Sequence, residues 1–260
     1  GAGNSAAIEL YFNGKEFFRR SGDAKTAVTP ITPGEWHQVR LVLDMKARRY
    51  SGVIESAKAL DTNKDLPKQP VIFSKPPTAV IGPDEPIQHN ANITKQLDWE
   101  VELAVIIGTT ARRVTRNTAL KHVFGYSVMI DVSARDNRRA GQWIFSKGMD
   151  SFAPFGPCIV TADEIADPQA LDLWLTVNGV EKQRSNTAKM LFKVDELVAD
   201  LSKGITLEPG DIIATGTPEG VGAGRAPQEW MWPGDVVEAH VEGIGSIRHP
   251  VVNNTPKTAR

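Results

Sequence analysis

The sequence predicts a mainly β fold with peripheral helices, and three observations carry that reading. Many short runs alternate apolar and polar residues at period two. Glycine turns separate them, with Asn13-Gly14 and Asn178-Gly179 as hairpin signals, and only a few stretches show helical apolar spacing.

Composition sets the outer limits. At 260 residues, 41% hydrophobic and 23% charged, the chain suits one large domain or one domain with an appendage. A net charge of −1 offers no basic face to nucleic acid or to an anionic membrane, so a small-molecule partner is expected. The longest apolar runs fall well short of the roughly 20 residues a membrane span needs. The lone cysteine, Cys158 in PFGPCIV, has no internal partner and is expected to be buried and inert, which fits a cytoplasmic chain. The chain does not begin with Met, which is read as processing or a fragment.

Taken in order, IELYFNGKEFFRR gives two strand-like runs around Asn13-Gly14, and Trp36–Leu43 alternates as another strand. WHQVRLVLD followed by RRYSGVI resembles a strand pair of laminin-G or concanavalin-type lectin sandwiches. Such a sandwich needs about 100 residues, so residues 1–54 are expected to form an incomplete β appendage. ESAKALDTNKD suits a short helix and loop, and PVIFSKPPTAVIG a strand and turn. Thr115–His122 suits a short helix with Thr115 near its N-cap. LDLWLTVNGVEKQRS is a hairpin through Asn178-Gly179, MLFKVDELVADLSKG has helical spacing ending at Gly204, and the glycine-punctuated strands that follow end in a loose tail over 252–260.

The chemistry gathers on Leu97–Gly108, LDWEVELAVIIG, whose alternation predicts one strand with Glu100 and Glu102 on one face. Carboxylates at i and i+2 have Cβ atoms about 6–7 Å apart, an unfavourable pairing unless a cation sits between them. In FGYSVMIDVSARD, Asp131 ends an apolar run and is placed as a third oxygen ligand. An all-oxygen set without His or Cys suits Mg²⁺, Mn²⁺ or Ca²⁺ rather than zinc. The competing reading is a strand face with ordinary charges.

The runs FSKPPTAVIGP, DWEVELAVIIG, FGYSVMIDVSARD, QWIFSKGMDSFAPFGPCIV, VNGVEKQRSNTAKMLF, LEPGDIIATGTPEGVG and PGDVVEAHVEGIG together resemble, in order, the fumarylacetoacetate hydrolase family. The resemblance implies that family's mixed β-sandwich roll over residues 55–251, with Mg²⁺ or Mn²⁺ held by Glu100, Glu102 and Asp131. It also implies a catalytic role for Lys147, close to the ion and an oxyanion. Arg135 would pair with a substrate carboxylate or orient the ligands, and Thr217 and the Gly216 backbone would face a substrate carboxylate. A homodimer and an oxo-acid substrate are implied in the same way.

One departure bears on the reaction. Family hydrolases carry a GxNY-x-x-H-x-x-E type segment whose His–Glu pair activates water, whereas RRYSGVIES aligns Tyr50 and catalytic candidate Glu55 to it and contains no His. Asn137-Arg138 also replaces a glutamine-bearing step of many relatives. The expected function is metal-dependent C–C hydrolysis of an acylpyruvate or fumarylacetoacetate type. Oxo-acid tautomerisation or isomerisation and oxaloacetate-type decarboxylation stand as alternatives. The non-enzyme readings are an impaired metal-binding fragment and a carbohydrate-binding module.

Overall fold

The structure, a computed structural model, describes residues 67–254 and the backbone of four earlier strands, Glu9–Phe12, Glu16–Ser21, Ala24–Pro30 and Ser51–Glu55. The chain divides into two units, 1–48 and 49–260. In the first, three strands form an antiparallel meander, with Phe12 opposite Phe17 on either side of the Asn13-Gly14 signal. The strand expected at 36–43 lies outside the described residues, as does the helix expected at 55–65 beyond Glu55, which ends a strand, and the tail expected over 252–260 from 255 onward; Val252 and Asn253 belong to the strand Gly245–Asn253. The lectin-sandwich likeness of residues 1–54 finds no support. Ser51–Glu55, at the end of the run that carried it, is a strand of the second unit, parallel to Ile212–Ala214 and antiparallel to Val71–Lys75. The boundary drawn at residue 54 therefore cuts through a strand.

Among the described residues, two large sheets and a two-stranded ribbon build the second unit. A seven-stranded sheet runs in the order Val71–Lys75, Ser51–Glu55, Ile212–Ala214, Val101–Ile107, Val123–Ile130, Ala153–Thr161, Val80–Ile81. A five-stranded sheet runs Val180–Asn186, Asp172–Val177, Val236–Val241, Gly245–Asn253, Ile87–His89. The alternation in the sequence decides what lies between them. Val101, Leu103, Val105 and Ile107 share the main core with Tyr126, Val128 and Ile130 and with Leu175, Val237 and Ala239 of the smaller sheet. The opposite face of the central strands carries a second, smaller cluster of Phe73, Ala79, Ala104, Met129, Ala153 and Ala214. Both faces are buried, so every residue of Val101–Ile107 is inaccessible.

The single strand expected over Leu97–Gly108 is two. Leu97–Asp98 pairs with Ser133–Ala134 in a two-stranded ribbon, and Val101–Ile107 enters the large sheet. Trp99 and Glu100 span the break. Period-two alternation is the same on both sides of a one-step interruption, which is why it hides the change of partner.

The helical segments are shorter than their patterns. The 190–204 pattern yields Val194–Ser202, which starts where Gln169 Oε1 accepts the Val194 N–H at 2.5 Å and carries Asp195 and Glu196 in its first turn. Thr115–His122 yields Arg116–Ala119 followed by a 3-10 turn, and the Thr115 side chain makes no cap bond. The Asn178-Gly179 turn has positive φ at both residues, 53° and 75°, as a type I′ hairpin requires.

Two polar groups away from the carboxylates depart from simple expectation. Cys158 is exposed rather than buried, because the strand Ala153–Thr161 is covered only over its first half. Partial burial and nearby Glu164 push its thiol pKa up, so it is not poised as a thiolate. His249 is buried and donates Nδ1–H to the Glu85 carbonyl at 2.8 Å, while Nε2 has no partner. Burial lowers its pKa, against the opposing pull of that carbonyl and the charges of Asp84 and Glu85. The imidazole is therefore favoured neutral in the fold. Its contribution to stability is present above the unfolded pKa of about 6.5 and is lost as pH falls through the lower folded value. Thermal melts at pH 7.5 and 5.5 are expected to show this loss, and His249→Asn, which keeps a donor for Glu85, is expected to flatten the difference.

Candidate metal centre

The strand register assembles the carboxylates. Met129 lies opposite Glu102 and Ile130 opposite Val101, so the chain leaving Ile130 brings Asp131 beside Glu100, where the Asp131 N–H donates to the Glu100 carbonyl at 2.8 Å. Glu100, Glu102 and Asp131 are fully buried, and each offers an oxygen within 4.8 Å of the other two. The pairing read from spacing is thus present, on the face opposite the main core.

Three cations surround these acids. Lys147 Nζ, at the end of the short helix Ile144–Lys147, donates to Glu100 Oε2 at 2.8 Å and to Asp131 Oδ2 at 2.7 Å. Lys75, at the end of Val71–Lys75, is wholly buried and pairs with Asp131 Oδ1 at 2.6 Å. It also donates to the carbonyls of Phe152 at 2.7 Å, Val132 at 3.3 Å and Lys147. Arg135 bonds Asp98 Oδ2 through Nε at 2.7 Å and Glu100 Oε1 through Nη2. Arg135 thus bonds two carboxylates inside the protein, Asp98 and Glu100.

Asp98 is the counterweight to Arg135. It is fully buried and also accepts the amides of Trp99 at 2.8 Å, Gly222 at 2.6 Å and Ala223 at 3.0 Å. A Cβ at Gly222 would stand 1.9 Å from the Glu229 carbonyl oxygen, so only glycine lets that turn close over Asp98.

Four buried carboxylates therefore face three cations, and Glu102 is the acid without an ion pair among the described residues. Its Oε2 accepts the Gly216 N–H at 2.8 Å, while Oε1 has no hydrogen-bond partner. Burial pushes the Glu102 pKa well up, Asp131 and Glu100 add repulsion, and Lys147 and the Gly216 amide oppose them. Glu100 behaves oppositely. Burial would raise it, but Arg135 and Lys147 outweigh that and hold it at about 2. A bare, buried carboxylate oxygen of Glu102 beside the Glu100 and Asp131 carboxylates would suit a divalent cation, and the donor set fits a hard ion. Glu100, Glu102 and Asp131 would hold it.

Other expected site residues fall as follows. The Gly216 amide, at φ 96°, serves Glu102. Thr217 is next to it, almost buried, with its Oγ1 accepting from Gln183 Nε2 at 2.8 Å. Ser51–Glu55 places the Glu55 backbone opposite Val71, and the Glu55 side chain lies outside the described residues. Lys75, Asp98 and Gln183 have roles that sequence reasoning missed. All three stood inside motifs quoted above, Lys75 in FSKPPTAVIGP, Asp98 in DWEVELAVIIG and Gln183 in VNGVEKQRSNTAKMLF, but most of their partners are distant in the chain. Over the cluster, Trp143 packs on Phe73 with ring centroids 5.5 Å apart, and Lys147 Nζ lies 5.2 Å from the Phe73 ring centre. A groove of about 380 Å³ between Trp99, Trp230, Trp232 and Lys182 contains none of the three carboxylates. Among the described residues no imidazole is bonded to the cluster. His89 meets the Thr94 carbonyl, His122 meets Thr109, His240 meets Ser246, and His249 meets Glu85.

Comparison with known proteins identifies the relatives of this fold. The family model described as "Fumarylacetoacetate (FAA) hydrolase C-terminal" matches residues 46–252. An oxaloacetate tautomerase of Xenopus laevis, named as mitochondrial, is 43% identical over 196 residues, covering 74% of this chain and 61% of that protein. A 2,4-didehydro-3-deoxy-L-rhamnonate hydrolase of a Sphingomonas species is 44% identical, covering 74% of this chain and 68% of that one. The crystal structure of a 5-carboxymethyl-2-hydroxymuconate delta-isomerase from Mycobacterium smegmatis superposes with a TM-score of 0.73 at 35% identity, covering 96% of this chain and 94% of that one. The chain spans about three-fifths of the length of the first curated relatives it matches. No described helix is long and apolar enough to cross a membrane.

Proposed function

Because the chain belongs to the fumarylacetoacetate hydrolase family, we propose that it is a divalent-metal-dependent enzyme that interconverts the keto and enol forms of a small 2-oxo acid. The observation that carries this reading is the unpartnered Oε1 of Glu102 beside Glu100, Asp131 and the Lys147 ammonium. When bound, Mg²⁺ or Mn²⁺ supplies Lewis-acid stabilisation for the enolate of an oxo acid.

This chain's own residues do the rest. Arg135 and Lys75 lock Glu100 and Asp131 in place from the protein side. Lys147 holds a proton at Nζ, within reach of both acids, and exchanges it with the substrate as the enol hydroxyl proton is lost and the carbon gains one. Phe73, packed on Trp143, lies beside the Lys147 ammonium, and Thr217 meets the substrate carboxylate. Tautomerisation needs only these groups, and a relative 43% identical is named an oxaloacetate tautomerase.

C–C hydrolysis is the second reading, favoured by the rhamnonate hydrolase relative. It further requires a group that activates water, a step worth about 10²–10⁴-fold, and Glu55 is the residue this chain offers for it. Oxaloacetate enol–keto exchange and acylpyruvate cleavage, each assayed with Mg²⁺ and with EDTA, separate the two. Mg²⁺-dependent exchange with cleavage at least tenfold slower is expected; cleavage as the faster reaction would overturn the ordering. A homodimer in the cytoplasm completes the reading, supported by family resemblance and composition alone.

A further inference from the structure

We propose that Gln183 is a positioning residue that fixes the Thr217 hydroxyl as a hydrogen-bond donor to the substrate and pins the Val101 amide between two metal-ligand positions. This rests on the proposed metal and oxo-acid site. Gln183 sits on Val180–Asn186, a strand of the five-stranded sheet, and is buried to 1% exposure. Its side chain crosses to the other sheet at the break between Leu97–Asp98 and Val101–Ile107. There Oε1 accepts the Val101 N–H at 3.0 Å, and Nε2 donates to Thr217 Oγ1 at 2.8 Å and to the Pro218 carbonyl at 2.9 Å.

The amide cannot be turned over. A main-chain N–H only donates and a main-chain carbonyl only accepts, so Val101 and Pro218 together dictate which end of Gln183 carries the oxygen. Thr217 Oγ1 must then accept from Nε2, and its own hydrogen is what it offers to an incoming molecule. A hydroxyl held as a donor suits an anionic oxygen, such as the carboxylate of a 2-oxo acid, and disfavours a group that needs an acceptor. The other end of the same side chain holds the amide of the residue between Glu100 and Glu102, where the strand has left one ladder and entered another.

Two variants separate these ends. Q183E keeps an acceptor for Val101 but removes the donor, so the Thr217 hydroxyl turns to the new carboxylate and away from substrate. Q183M removes both. Calorimetry with Mn²⁺, thermal melts and oxaloacetate exchange kinetics are compared with wild type, T217V and Q183E/T217V. Q183E is expected to bind Mn²⁺ within about threefold of wild type while raising KM about tenfold, the effect of losing one hydrogen bond to a charged group, with little change in kcat. Q183E/T217V should lose no more than T217V alone, since both single changes remove the same contact. Q183M should in addition weaken Mn²⁺ binding several-fold. Wild-type KM in a folded Q183E, or multiplicative losses in the double variant, would overturn the inference. Should Q183M fail to fold, Q183E carries the test alone. A wild-type protein that binds no Mn²⁺ is a different result, which overturns the metal site and this inference with it.

Discussion

Glu102→Gln is expected to abolish divalent-metal binding and metal-dependent turnover while leaving the fold intact or more stable. The amide is isosteric, and its oxygen can still accept the Gly216 N–H that now meets Oε2. What disappears is, among the described residues of the cluster, the buried acid with no ion pair. Loss of a first ligand should exceed the roughly 10–100-fold cost of losing an outer-shell partner. The stability sign follows from linkage. Burial raises the folded pKa of Glu102 above its unfolded value, so its contribution is present below the unfolded pKa and is lost as pH rises through the folded one. At pH 7.5 in EDTA, a neutral Gln should therefore melt no lower than wild type. Added Mn²⁺ should raise the wild-type Tm through mass action and leave the variant unmoved. Equal Mn²⁺-induced shifts in the two proteins would remove Glu102 from the site.

That contrast explains what could be read from the chain. Glu100, Glu102 and Asp131 were legible because a strand announces its faces at period two, and like charges on one face demand an explanation. The Asn178-Gly179 hairpin and the helix near 194–202 were legible because turns and amphipathic stripes are local. Lys75 was not. Its three carbonyl partners and Asp131 lie about 56 or more positions away along the chain, and a lone lysine after a strand ordinarily points to water. Asp98 looked like one more alternating residue, although its real task is to close the Gly222 turn and steady Arg135. The break at Trp99–Glu100 was hidden because the period-two alternation runs unchanged across it. Beside it the Val101 amide is taken by Gln183 from another sheet, and no local pattern encodes a partner supplied by topology.

Lys147→Met should produce the opposite signature to Glu102→Gln. Lys147 is wholly buried, and its ammonium bridges Glu100 and Asp131 at 2.8 and 2.7 Å. Removing one member of a buried ionic cluster costs about 3–5 kcal/mol because the remaining charges lose their compensation. Glu100 retains Arg135 and Asp131 retains Lys75, which places the expected loss at the lower end of that range. In EDTA the variant should therefore melt below wild type by several degrees. Mn²⁺ should restore more stability to it than to wild type, because a divalent ion compensates the same two carboxylates that the ammonium served. Turnover should not return with the metal. A proton-transfer group is worth about 10²–10⁴-fold, and methionine offers no proton. Rescue of stability without rescue of activity separates Lys147 as a proton carrier from Lys147 as a structural counterion. Turnover within about threefold of wild type in the metal-loaded variant would assign the proton transfer elsewhere.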